Sequence, residues 1–187
     1  ICLYRAIVIR LKSLLLPQAN QIMMEEKEKA WKTVSSKYLF RRPWLTVRCE
    51  DMLLPNGNHI PEYYILEYPD WVNTIAITKD GKFVFVRQYR PRLGRTSYEL
   101  CAGVCDKEDA SPLVSAQREL WEETGYGKGN WQEYMVISAN PSTHTNLTHC
   151  FLATNVEPID HQHLEDTEDL SVHLLTFEEV KQLLENN

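Results

Sequence analysis

The chemistry in this sequence is concentrated in Arg118-Glu119-Leu120-Trp121-Glu122-Glu123-Thr124-Gly125. Glu119, Glu122 and Glu123 are spaced i, i+3 and i+4, which puts three carboxylates on one face of a helix turning once every 3.6 residues. Like charges at that spacing cost roughly 0.2–0.5 kcal/mol per pair on a bare helix, so a cation should sit against them. Carboxylates are hard oxygen ligands and suit Mg²⁺ or Mn²⁺ better than zinc. A solvated acidic face is the ordinary alternative. Against it, Leu113, Ala116, Leu120 and Thr124 form a separate apolar strip, so the helix can pack on a core while its acids face a cleft. Gly125 supplies the expected C-terminal stop.

The elements that must hold this helix read mainly as strands from Trp31 onward. Residues 44–53 and 59–68 are β-rich and joined through Pro55-Asn56-Gly57, a strong hairpin signal. A second hairpin is expected over residues 73–78 and 82–89 across Asp80-Gly81. Residues 97–101 form a short strand feeding the loop before the helix. Strands at 131–138, 147–154 and 170–175 follow, and Thr176 with Glu179 makes a capping box for a terminal helix starting near Phe177. One central helix and one terminal helix among strands predict an α+β sandwich.

Composition bounds the function. The chain has 187 residues, 43% of them hydrophobic, enough for one domain with a buried core. A formal charge of −6 excludes a basic nucleic-acid footprint. Residues 1–16 are apolar but interrupted by Arg5, Arg10 and Lys12, too short and charged to span a bilayer. Residues 1–23 are expected to be an extension outside the catalytic fold, with Met23-Met24 as a natural start. The five cysteines include no CxxC pair and read as reduced, cytoplasmic thiols. Cys101, Cys105, His149 and Cys150 have no recognised zinc spacing and are better read as buried thiols.

Gly103, Arg118, Glu119, Leu120, Glu122, Glu123 and Gly125 together resemble the signature of the Nudix hydrolases. Two positions depart from it. The interval from Gly103 to Arg118 is one residue longer than the pattern, and the family's first glutamate falls on Asp109 or Ala110. Val86-Arg87-Gln88-Tyr89-Arg90 and Glu99-Leu100-Cys101-Ala102-Gly103 are similar to the ADP-ribose pyrophosphatase branch, as is the position of Pro141. Beyond Pro141 the chain has Ser142 and Asn146 where that branch often has Gly and Glu.

The resemblance implies a Nudix-type α/β/α sandwich at 71–187, preceded at 24–70 by a β-hairpin region that dimerises. It implies Mg²⁺- or Mn²⁺-dependent hydrolysis of a nucleoside diphosphate linked to a sugar, with ADP-ribose the first candidate. A Nudix domain that senses nucleotides without cleaving them is the alternative. Glu119, Glu122, Glu123 and the backbone carbonyl of Ala102 would hold the ions, and Arg118 would brace the loop. From the acidic loop at 164–169, which alone reads as a solvated turn, the resemblance selects Glu168 as metal ligand or base, with Asp166 or Glu165 as substitutes. Arg90 and Arg87 could grip phosphate through their planar forks, or form surface ion pairs. Glu99 resembles a substrate-site glutamate and Trp44 an adenine-stacking aromatic; each could instead be structural. His144 and His149 could contact substrate or pack.

Overall fold

A computed structural model of the chain describes residues 29–186. The expectation for residues 1–23 lies outside them. Three antiparallel strands come first, β1 (Lys32–Arg42), β2 (Leu45–Leu53) and β3 (His59–Glu67), in the order β1-β2-β3. The β2–β3 hairpin turns at Pro55-Asn56-Gly57, where Gly57 N donates to Leu54 O and Asn56 Oδ1 accepts from Asn58 N, both at 3.0 Å. The strand β1 was not delimited by sequence reading. No residue in it is buried, so it lacks the in–out alternation by which a half-buried strand is recognised. The N-terminal region is therefore a three-stranded meander rather than a hairpin.

The main sheet follows: β4 (Trp71–Thr78), β5 (Phe83–Arg90), β6 (Arg95–Glu99), β7 (Cys101–Val104), β8 (Tyr126–Gly127), β9 (Asn130–Ile137), β10 (Thr148–Pro158) and β11 (Leu170–Leu175). Its order is β11-β5-β4-β10-β8, with β6 on β5, β7 on β4 and β9 on β10. All these pairings are antiparallel except β4 with β10, which run parallel from Trp71↔Thr148 onward. Alternation along β4 buries Val72, Thr74, Ala76 and Thr78 on one face. The expected single strand at 97–101 is two, because β6 stays with β5 while β7 crosses to β4.

That crossing delivers the chain beneath the helix α1 (Pro112–Thr124). Ser111 caps α1, its Oγ accepting from Val114 N, and Pro112 occupies the first turn, where no amide donor is needed. Leu120 joins Ala76, Val84, Cys101, Ala153 and Val156 in one core cluster, and Ala116 joins Val72 and Phe151 in another. Truncating a side chain buried like Leu120 to Ala costs about 2–5 kcal/mol in comparable cores. Thr124 is buried as expected, but Leu113 is exposed and Ser115 takes its place in the strip. The terminal helix α2 (Phe177–Glu185) has the expected capping box, and Phe177 packs against Phe83.

The two sheets are joined through the loop at 140–146. Leu66 N donates to Thr143 O at 2.7 Å and Thr145 N to Leu66 O at 3.1 Å, and the Tyr63 hydroxyl donates to Ser142 O. His144 meets Tyr68 edge-on at 5.4 Å. The residues around Pro141 thus serve as a joint. No described helix is long and apolar enough to cross a membrane.

Candidate active site

The cleft at the acidic face of α1 has a volume of about 270 Å³. It is lined by Ala102, Gly103 and Val104 of β7, by a wall of Glu119, Glu122 and Glu123 from α1, and by a second wall, Glu165 and Glu168, from the segment before β11. Trp44, at the β1–β2 turn and 82% exposed, stands at its rim. Asp166 is not among the lining residues.

Gly103 lies where Glu119 must pass. A Cβ there would sit 2.1 Å from the Glu119 carboxyl carbon, so only a residue without a side chain leaves that carboxylate in place. Arg118 binds the motif together. Its Nη1 donates to Glu119 Oε1 and Glu122 Oε2, both at 2.9 Å. Its Nη2 donates to Val104 O at 3.0 Å and to Asp109 Oδ2 at 2.9 Å, and Nε also reaches Asp109, at 3.1 Å. Asp109 is thus the partner that anchors the guanidinium, and the bond to it holds its carboxyl below the usual range. The interval that is one residue longer than the Nudix pattern runs through the turn closed by Asp109 N on Asp106 O and still reaches Arg118.

Glu123 is 6% exposed, and its Oε2 accepts from Ala102 N at 3.3 Å. Burial pushes its carboxyl up to about 7, with the charges of Glu119 and Glu168 adding to the effect. Burial likewise raises Glu119; Arg118 opposes the shift, while Glu122 and Glu168 reinforce it. A single arginine shares the cleft lining with six carboxylates, of which Glu119 and Glu123 are destabilised as anions. A hard dication fits that donor set and would relieve the excess charge.

Glu168 closes its own turn, Oε2 accepting from Glu165 N at 2.9 Å and its N–H donating to Glu165 O at 2.9 Å. The other expected substrate residues lie apart from the cleft lining. Arg90 Nε donates to Glu99 Oε1 at 2.9 Å, a two-pronged pair across β5 and β6 that raises the guanidinium pKa; the charge of Glu123 contributes to the same shift. Arg87 lies over the Tyr98 ring at 5.7 Å. His149 packs between Glu133, at 2.8 Å, and Asp70, at 3.6 Å. The four described cysteines are free thiols, and Cys49, Cys101 and Cys150 are buried. Sequence reading passed over His163, whose ring stacks on Trp121 at 4.2 Å and lines the cleft. The run Asp160-His161-Gln162-His163 was the available signal.

Residues 68–187 match the NUDIX domain model, and the chain belongs to the Nudix family. Residues 31–66 match the model of the nucleoside diphosphate sugar hydrolase N-terminal domain. The two matches together describe a Nudix nucleoside diphosphate sugar pyrophosphatase. The chain is 31% identical over 156 residues to the ADP-ribose pyrophosphatase of Bacillus subtilis (strain 168), covering 83% of each protein. It is 30% identical over 118 residues to the GDP-mannose pyrophosphatase of Escherichia coli (strain K12), covering 57% of this chain and 59% of that protein. A crystal structure of an ADP compounds hydrolase shares the fold, with a TM-score of 0.73, 21% identity and 84% of each chain covered.

Proposed function

We propose that the chain hydrolyses the pyrophosphate bond of a nucleotide sugar, ADP-ribose first and another nucleotide sugar second, releasing a nucleoside monophosphate and a sugar phosphate. The observation that carries this reading is that two sets of acids distant in sequence line one cleft, Glu119, Glu122 and Glu123 with Glu165 and Glu168. The relatives named for ADP-ribose and GDP-mannose support the substrate class.

Glu119, Glu122, Glu123 and Glu168, with the carbonyl of Ala102, would hold Mg²⁺ or Mn²⁺. Such ions neutralise the diphosphate and lower the pKa of water. The chain's own groups do the rest. Glu168 takes the proton from the attacking water; Glu165, on the same wall, is the substitute. Arg118 acts as a positioning residue, since its donors already engage Glu119, Glu122, Asp109 and Val104. Trp44 offers an exposed ring at the cleft rim for a nucleobase, where stacking contributes about 1–3 kcal/mol per base. The Arg90–Glu99 pair, close enough for Glu123 to favour the Arg90 charge, is the nearest anchor for the distal phosphate; Arg87 has weaker support, engaged as it is with Tyr98.

We further propose a homodimer formed through the N-terminal sheet. In β1, Val34, Tyr38, Leu39 and Phe40 are all exposed, apolar surface spread over a strand whose register shifts between Tyr38 and Phe40.

The test is incubation with Mg²⁺ and a panel of nucleoside diphosphate sugars, reading monophosphate release. Glu168→Gln should lower turnover by about 10²-fold or more with a modest change in substrate affinity. Near-normal turnover rejects Glu168 as the base, and tight binding without release by the wild-type chain rejects hydrolysis altogether.

A further inference from the structure

Next to the cleft lies a second group of ligand-type side chains, for which splitting a pyrophosphate has no use. Among the described residues, Asp160, His161 and His163 form the only group of three or more His, Cys, Asp or Glu side chains with ligand atoms all within 4.8 Å of one another. His161 Nδ1 lies 2.7 Å from Asp160 Oδ1, and His163 Nε2 lies 3.0 Å from Asp160 Oδ2. The two imidazole rings are 4.3 Å apart, centre to centre.

The backbone fixes this arrangement independently of any ion. Ile159 N and Asp160 N both donate to Gly125 O, at 2.9 and 3.1 Å, and His163 N donates to Glu122 O at 2.8 Å. Between the histidines, Gln162 turns to the helix and donates from Nε2 to Glu123 O at 2.7 Å. The histidines on either side of Gln162 are left with their rings beside each other. Trp121 supports the His163 ring from beneath. A loop pinned at four points and carrying three donors needs little further ordering to bind an ion.

Donor chemistry separates this group from the glutamates. Two imidazoles and one carboxylate suit Zn²⁺, Co²⁺ or Ni²⁺ and are a poor match for Mg²⁺, which prefers oxygen. Three protein ligands leave at least one coordination position to solvent. We propose that Asp160, His161 and His163 form a transition-metal site of the Zn²⁺ class at the edge of the acidic cleft, with His163 shared by both and no glutamate of α1 among its ligands. Its occupation would clamp residues 160–163, the segment just ahead of Glu165 and Glu168, in the turn that the bonds to the end of α1 already set. The proposal does not depend on which nucleotide sugar is cleaved.

Cobalt makes the site visible. The full chain in excess Mg²⁺ is titrated with Co²⁺ while its visible absorption is recorded, and Zn²⁺ is then added as a competitor. Wild-type protein should give one saturable Co²⁺ spectrum that Zn²⁺ abolishes. His161→Ala, an exposed position outside the cleft, should weaken Co²⁺ binding by about tenfold or more, as should His163→Ala. Glu122→Gln should leave the titration unchanged. Wild-type affinity in His161→Ala, loss of the spectrum in Glu122→Gln, or no saturable absorption at millimolar Co²⁺ would each overturn the assignment.

Discussion

Glu123 shows how a single side chain can report on its site before any substrate is present. Its carboxyl is raised from 4.5 to about 7, chiefly by burial, so the folded chain prefers it protonated. The resulting contribution to stability is complete below about pH 4.5 and is lost as pH rises through about 7. A shift of that size corresponds to on the order of 3 kcal/mol. In EDTA, the difference in Tm between the wild type and Glu123→Gln should therefore move against the wild type from pH 5 to pH 7.5. Excess Mg²⁺ should remove most of that movement, since a bound dication favours the anion. Thermal unfolding at a series of pH values checks this, and a pH-independent difference would count against a buried, ionising Glu123.

Much of this local chemistry was legible without coordinates. Helical periodicity alone put the three glutamates on one face, and Gly103 and Gly125 stood at their expected positions. What stayed hidden were choices made by distant partners. Arg90 and Glu99 read as two separate substrate contacts; the register sets Arg90 opposite Arg95 and Glu99 opposite Val86, yet the Arg90 side chain reaches along the strands to Glu99, so the two form one charged pair. Asp109 looked like a loss from the signature. It is the acid on which Arg118 is hung.

Between elements, the end of α1 does most of the organising. Gly125 adopts φ 72°, and its N–H donates to Trp121 O at 2.8 Å. A Cβ on Gly125 would lie 2.3 Å from the Asp160 carbonyl oxygen, a backbone atom with no freedom to swing aside. Gly125→Ala therefore combines left-handed strain with displacement of the loop that leads to Glu165 and Glu168. We expect a loss of about 1–3 kcal/mol in stability and a fall in turnover larger than stability explains, measured by chemical denaturation beside initial rates. Unchanged activity would disconnect the helix end from the second wall of the cleft. The role of this turn as a helix stop was readable in sequence, but its contact with a carbonyl 35 residues later was not. The strand β1 escaped for the opposite reason: neither of its faces is buried within one chain, so no alternation marks it.

For the assembled protein, that same strand makes the strongest prediction. Tyr38→Asp with Phe40→Asp places charge on the exposed apolar surface of β1 without touching a buried side chain. If this face joins two copies, light scattering after size exclusion should show the wild type at twice the mass of the double variant, with circular dichroism unchanged. Equal masses would reject the interface. The meeting of the two sheets at residues 140–146 was not readable in the sequence, because it depends on bonds between segments far apart in the chain.

The parallel pairing of β4 with β10 has a further consequence for how the protein is made. Trp71 and Thr148 are 77 positions apart, and all three acids of the α1 wall lie inside the loop they close. Long-range closure of this kind slows folding, because chain entropy is lost before distant contacts return it. On the ribosome the signature helix is complete well before β10 has been synthesised. The β7 residues beside its carboxylates, Ala102 and Gly103, are already made when the helix ends, whereas Ala153 and Val156 of the core and Glu165 and Glu168 of the cleft come only afterwards, so a complete cleft should emerge as one of the last events of biosynthesis.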